Sequence, residues 1–141
     1  MSTEGRRLAV AALAAAALAG CGGGGGGPTT ASSDQEAAIT GVVDRYADAL
    51  DEGDSETICA ELISPEDPQG QDPKGCEESY DALIDKLGPQ LAEGLRDSSI
   101  DHIDIVADGT VAQVYRQGND DKFQRLTLID GTWYLAPSAP Q

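Results

Sequence analysis

Positive charge is scarce in this chain: nine Lys and Arg stand against 25 Asp and Glu, a formal net charge of −16. Such a surface repels nucleic acid and anionic lipid headgroups alike, so neither is expected as a partner. Histidine occurs once and cysteine three times. Once two of the cysteines pair, too few soft ligands remain for zinc, and no metal or other cofactor is expected. Aromatic residues make up 4% of the chain, and a domain of this size has little core to spare. No apolar run reaches the length of a membrane-spanning helix, about 20 residues. The apolar stretch nearest to one, Leu8 to Ala19, has twelve residues.

That stretch is nonetheless organised. It follows Arg6-Arg7 and leads into Leu18-Ala19-Gly20-Cys21, so basic, apolar and small-residue regions succeed one another as in a secretory signal. A cysteine directly after the small residues resembles the lipobox of bacterial lipoproteins. The resemblance implies removal of residues 1–20, a diacylglycerol with palmitate-type chains on the Cys21 thiol, and acylation of the new amine. Each buried CH2 contributes about 0.8 kcal/mol, so two or three chains hold a protein on the extracytoplasmic face of the cell membrane. An ordinary secretory signal also fits the first twenty residues and would leave Cys21 a free thiol.

Loss of Glu4, Arg6 and Arg7 with the signal leaves seven basic against 24 acidic residues, a formal −17. Contact with the membrane is then expected through the lipid alone. Residues 21–33, with Gly22 to Gly27 and Pro28, read as a flexible tether of about 20 Å root-mean-square span. Residues 34–137 read as one small domain, and 138–141 as a tail.

In an oxidising compartment Cys59 and Cys76 are expected to close a structural disulfide, since lipidation of Cys21 leaves one connectivity. A redox-active dithiol would need the Cys-X-X-Cys spacing that this pair lacks.

The hydrophobic pattern changes period along the domain. Ser33-Asp34-Gln35-Glu36 reads as a capping box, and Ile39, Val42, Val43, Tyr46 and Leu50 recur at helical spacing up to Gly53. Asp54 caps a short second helix carrying Ile58, Cys59, Leu62 and Ile63. Pro65, Pro68, Gly70 and Pro73 mark a loop. A third helix starts near Cys76 with Tyr80, Leu83, Ile84 and Leu87 on one side, and Pro89 to Leu95 adds a separate helical turn. Beyond Ser98 the period becomes two. Asp108-Gly109 and Asp130-Gly131 predict type I′ hairpins joining strands at 99–107, 110–117, 123–129 and 132–136. Pairing then sets Ile103 opposite Val114, Ile105 opposite Ala112, Leu128 opposite Trp133 and Leu126 opposite Leu135. All eight face the core if Val114 also pairs with Leu126 across an odd loop at Gly118 to Lys122. The expected fold is α+β: three N-terminal helices on a curved antiparallel four-stranded meander.

The segments Ala37-Ala38-Ile39-Thr40-Gly41-Val42-Val43-Asp44-Arg45-Tyr46, Leu50 to Asp54, Cys59-Ala60-Glu61-Leu62 and Gly75-Cys76, with the ending Leu126 to Leu135, carry a resemblance. Their order is similar to that of the nuclear-transport-factor-2-like, cystatin-like cone superfamily, and within it to small actinobacterial-type lipoproteins. The resemblance implies a cone-like domain with one further short strand, which the pattern does not place. It also implies either a non-catalytic binder or an isomerase- or cyclase-like enzyme, because fold alone does not set activity.

Two functional readings follow. The first is a non-catalytic binding or interaction module of the cell envelope with a solidly packed core. Its surface for an envelope protein partner or a homodimer would be the outer sheet face, where Val106, Val111, Tyr115, Ile129 and Tyr134 form an apolar stripe. The second is a pocket between helices and sheet beneath Trp133, lined by Tyr46, Tyr80, Val114, Leu126 and Trp133, that takes a small apolar ligand. Isomerase-like chemistry needs a carboxylate base inside such a pocket, and no acidic residue falls at an inward position, so no catalytic residue is assigned. His102 and Asp104 share a strand face that points away from the helices, as a solvated pair. The acidic groups Asp51, Glu52, Asp54, Glu56 and Glu66, Asp67, Asp72 lack EF-hand spacing.

Overall fold

A computed structural model of the protein describes residues 27–119 and 121–138. The signal-like segment, Cys21 and Gly22 to Gly26 lie outside the described residues. Among the described residues no helix is long and apolar enough to cross a membrane.

Chain order is β1 (Thr29–Thr30), α1 (Ser33–Glu52), α2 (Ser55–Thr57) with a π-helical turn (Ile58–Leu62), α3 (Pro68–Gln71), α4 (Pro73–Asp97), β2 (Ile100–Val106), β3 (Val111–Arg116), β4 (Phe123–Ile129) and β5 (Thr132–Leu135). Helices thus precede an antiparallel five-stranded sheet of order β1-β2-β3-β4-β5. The fold is α+β.

Local chemistry explains most element boundaries. Ser32, not Ser33, opens α1: its Oγ accepts from the Gln35 backbone N–H at 3.4 Å while the Gln35 Oε1 accepts from the Ser32 N–H at 3.0 Å. Both serines can start a box, and the chain uses the earlier one because Ala31 still donates to the Ile103 carbonyl at 3.1 Å. Gly53 closes α1 in the left-handed region, φ 74°, where a Cβ would be strained. Asp54 caps α2 through the Thr57 N–H at 2.9 Å.

Four expectations are corrected. The sheet has five strands, because Thr29 and Thr30, read as tether, pair with Ile105 and Asp104. The sequence shows no strand periodicity in two residues, and the exposed edge of β2 organises them. Pro68–Gln71, read as loop, forms a helical turn capped by Asp67 through the Gln69 N–H. The turn expected at Pro89 to Leu95 belongs to α4, which runs unbroken through Pro89 for 25 residues. Proline there removes one backbone donor, yet Tyr80, Gly88 and Ala92 on either side of it are all buried. At Gly88 an added Cβ would come within 2.9 Å of the Leu50 carbonyl, so α4 packs on α1 at backbone distance just before the proline. Tertiary burial of both halves outweighs the local break.

The fourth correction concerns register. Ile103↔Val114, Ile105↔Ala112, Leu126↔Leu135 and Leu128↔Trp133 pair as expected. In the middle hairpin Leu126 pairs with Ala112, and Val114 pairs with Gln124. A two-residue slip preserves the face, so the hydrophobic pattern could not distinguish the two registers. The slip puts Gln124 beside Val114. Both outer hairpins turn through left-handed residues: Asp108 (φ 57°) with Gly109 (φ 90°), and Asp130 (φ 49°) with Gly131 (φ 81°).

The core lies between α1, the π-helical turn, α4 and the inner sheet face. Ile39, Leu50, Ile58, Leu62, Val114 and Leu126 are its most deeply buried large side chains, each contributing about 1.5–3 kcal/mol. Cys59 and Cys76 are joined by a disulfide within it. At the far sheet edge Ile63 bridges Leu135 in parallel fashion, and the Ser64 N–H donates to the Leu135 carbonyl at 2.7 Å.

Candidate functional site

A cavity of about 320 Å³ opens where the two ends of the middle hairpin meet the helices. That volume lies at the small end of the range for ligand pockets. Each wall has a local cause. Tyr46 stands on α1 one turn from the buried Val43 and Leu50. Tyr80 and Leu95 come from α4, and Ile63 from the segment pinned to β5. Val114 and Arg116 end β3, Phe123 to Arg125 begin β4, and Asn119 and Lys122 belong to the loop between them. Leu135, Ala136 and Pro137 close the rim after β5.

Tyr46, Tyr80 and Val114, expected to line a pocket, are thereby brought together. Leu126 and Trp133 are not among the lining residues. Leu126 is fully buried and Trp133 nearly so in the packed core. The cavity therefore does not lie beneath Trp133. It sits toward the β3–β4 loop, because the middle register directs Gln124 rather than Leu126 opposite Val114. Sequence reasoning missed Arg116, Lys122, Gln124 and Arg125. An alternation centred on that loop would have marked Val114, Arg116 and Gln124 as one face, had its register been readable.

The two tyrosines meet edge to face, with ring centroids 6.2 Å apart and planes at 87°, and their hydroxyls share a hydrogen bond. Burial raises the Tyr46 phenol above its ordinary value, and the bond to Tyr80 opposes this. Burial raises Tyr80 strongly, with the neighbouring Tyr46 and the Asp67 carboxylate adding to it. Both phenols hold their protons at neutral pH and act as hydrogen-bond donors and acceptors. A folded-state value above the unfolded one means that the folded chain binds the proton more tightly. Stability is then complete below about pH 10 and falls as pH rises beyond it, by at most about 1.4 kcal/mol per pH unit for each tyrosine. Denaturant melts between pH 8 and 11.5 are expected to show this fall, and Tyr80→Phe to remove about half of its slope. A profile flat to pH 11 would contradict the pairing.

Arg116 is anchored rather than free-standing. Its Nη1 donates to the carbonyls of Leu95 (2.8 Å) and Ser98 (2.6 Å) at the end of α4, the negative end of that helix. Burial lowers its guanidinium from the ordinary value, and the Asp44 carboxylate opposes this; an arginine remains charged regardless. Its Nη2 is buried without a hydrogen-bond partner, as is the Gln124 Oε1. Such unmet groups cost about 1–3 kcal/mol each.

The remaining sequence-marked groups serve structure. His102 is exposed; its Nδ1 lies 2.7 Å from Asp101 Oδ2, its Nε2 3.9 Å from Asp104 Oδ2, and its ring stacks on Tyr115 at 4.4 Å. On the outer sheet face Val106, Tyr115, Ile129 and Tyr134 are half-buried and Val111 is buried. Of the acidic groups, Asp54, Asp67 and Asp72 cap helices and Asp51 pairs with Arg96. Asp67 also accepts from the Ser138 N–H at 3.0 Å, so it ties the α3 segment to the chain beyond β5. Among the described residues no three His, Cys, Asp or Glu side chains are placed to share a metal ion.

No protein-family model matches this chain, and no curated protein or solved structure matches it either.

Proposed function

We propose that this chain is a lipid-anchored extracytoplasmic protein of the cell envelope whose cone-like domain binds a small molecule without transforming it. The cavity between Tyr46, Tyr80, Val114 and Gln124 carries the reading. It combines apolar walls with a few convergent polar groups, the usual make-up of a ligand site. The lipobox at Leu18 to Cys21 and the Gly-rich run behind it support the anchor. Helices followed by an antiparallel sheet, with the short β1 at its edge, support the likeness to the cone superfamily.

Lack of catalysis rests on the lining chemistry. No carboxylate or histidine lines the cavity among the described residues, and both tyrosines keep their protons at neutral pH. A base able to take a proton from carbon is therefore missing from the walls.

Native mass spectrometry of the chain isolated from its own envelope tests both parts. The expected spectrum shows an amino-terminal Cys21 bearing acyl mass, a two-hydrogen loss for Cys59–Cys76, and an added small-molecule mass. Cys21→Ser is expected to abolish the acyl mass and release the chain from the membrane fraction. An unacylated chain would overturn the anchor, and a ligand-free chain under gentle ionisation would overturn the binding role.

A further inference from the structure

Charge is not what the cavity offers a guest. Arg116 donates to the carbonyls of Leu95 and Ser98 at the end of α4 and lies beside Asp44. Arg125 is engaged in an interaction of its own. It falls on the sheet face away from Val114 and Gln124 and also lines a neighbouring cleft with Glu66 and Asp67. Lys122 is exposed at the rim, where solvent and salt screen its charge.

The walls offer instead one unmet acceptor and one spare donor, both neutral. Gln124 stands near the start of β4 on the inner sheet face, opposite Val114, and lines the cavity. Its Oε1 is shut off from solvent and accepts no hydrogen bond from the described residues. A buried amide oxygen in that state is costly, and a guest that brings an N–H to it removes the cost. On the helix side, Tyr46 from α1 and Tyr80 from α4 bond to each other and to no other described residue. Two phenols carry two O–H protons, and the bond between them uses one. The other remains for an acceptor on a guest. Ile63, Leu95, Val114 and Leu135 supply hydrocarbon around these groups.

A guest that matches is uncharged, carries a donor and an acceptor on different atoms, and has a compact apolar body. A carboxamide or a lactam holds both groups fixed in one plane. Resting on the binding role proposed above, we infer that the cavity recognises small neutral amides. Their N–H donates to Gln124 Oε1, their carbonyl accepts from the Tyr46–Tyr80 pair, and their apolar body lies against Ile63, Val114 and Leu135. Such a site discriminates against an analogue without the N–H, because its own acceptor is then left unmet.

Three probes of one body and different heads separate the outcomes: 3-phenylpropanamide, methyl 3-phenylpropanoate and the 3-phenylpropanoate anion. Isothermal titration calorimetry on the acylated full-length product in neutral phosphatidylcholine nanodiscs, with empty nanodiscs as reference, reads their affinities. The amide is expected to bind at least about tenfold tighter than the ester, which lacks the donor, and tighter than the anion. Gln124→Leu replaces the unmet acceptor by hydrocarbon, so it should keep or raise the melting temperature and bring amide and ester to within about twofold. Gln124→Met, of closer shape, provides a second variant should leucine disturb β4. Equal binding of amide and ester by the unaltered protein would overturn the amide inference and leave the binding role standing. Tightest binding of the anion would overturn the neutrality of the site. An amide preference that survives both variants would overturn the assignment of the acceptor to Gln124. Absence of heat with all three probes would overturn the inference, and the binding role then stands or falls on the native spectrum described above.

Discussion

Replacing Cys59 and Cys76 together by alanine is expected to lower the stability of the domain by about 3 kcal/mol, read by chemical denaturation against the oxidised protein. The two residues are 17 apart in sequence. In the chain-entropy account, cross-linking a loop of this length restricts the unfolded chain by about that amount. The closed segment buries Leu62, Ile63, Ser64 and Asp67 near its start and middle, but its remainder is held less: Pro65 and Pro73 are exposed, and α3 has no buried residue. Without the link, the Ile63–Leu135 bridge and the Asp67–Ser138 hydrogen bond must hold the segment alone. The loss should extend to the cavity, since Ile63 forms one of its walls. Both sulfurs lie in the core, so a reductant should act slowly on the folded protein and quickly once it unfolds. A double variant within about 1 kcal/mol of the oxidised protein would show that packing alone secures this segment.

A single methyl group at Gly70 is expected to do comparable damage, again about 3 kcal/mol. A Cβ there would overlap the Ser64 carbonyl oxygen and lie 2.8 Å from its carbon. Those are backbone atoms held from three directions: the Ser64 N–H donates to Leu135, its carbonyl accepts from the Asp67 N–H at 3.0 Å, and Ile63 bridges β5. Overpacking of this kind typically costs about 1–3 kcal/mol and more where the neighbour cannot move. Gly41 provides the control. It lies within α1, and no atom stands within 4 Å of the place a Cβ would take. Gly41→Ala should therefore stabilise the domain by up to about 1 kcal/mol through helix propensity. Thermal or urea melts of the two variants should move in opposite directions. Parallel shifts would mean that α3 does not pack against Ser64.

The legible parts of the fold share one property: they depend on neighbours in sequence. The α1 periodicity, the Gly53 terminus, the Asp54 cap and the two Asp-Gly hairpins are local, and each stands where the residues put it. The register of the flanking hairpins followed, because a two-residue turn fixes pairing outright. In the middle hairpin the turn does not fix it. Val114 can face Leu126 or Gln124 with its side chain inward in either case, and only packing against the helices chose Gln124. Pro89 is the converse case: a strong local stop signal was overruled by the close contact of Gly88 with Leu50.

The same division runs through the candidate site. Tyr46, Tyr80 and Val114 were recognisable as inward-facing from periodicity alone. Arg116, Lys122 and Arg125 read as ordinary surface charge, since no rule of spacing links the end of one strand to the start of the next across a loop of unknown register. Sequence by itself determined the α+β order, the pairing of Cys59 with Cys76 and the acidic surface, because composition and local hydrogen bonding need no distant partner. Tertiary structure alone decided that Thr29 and Thr30 join the sheet, that α4 continues through its proline, and that Gln124 rather than Leu126 stands opposite Val114. Those outcomes depend on contacts between segments far apart in the chain, where burial and register outweigh local preference.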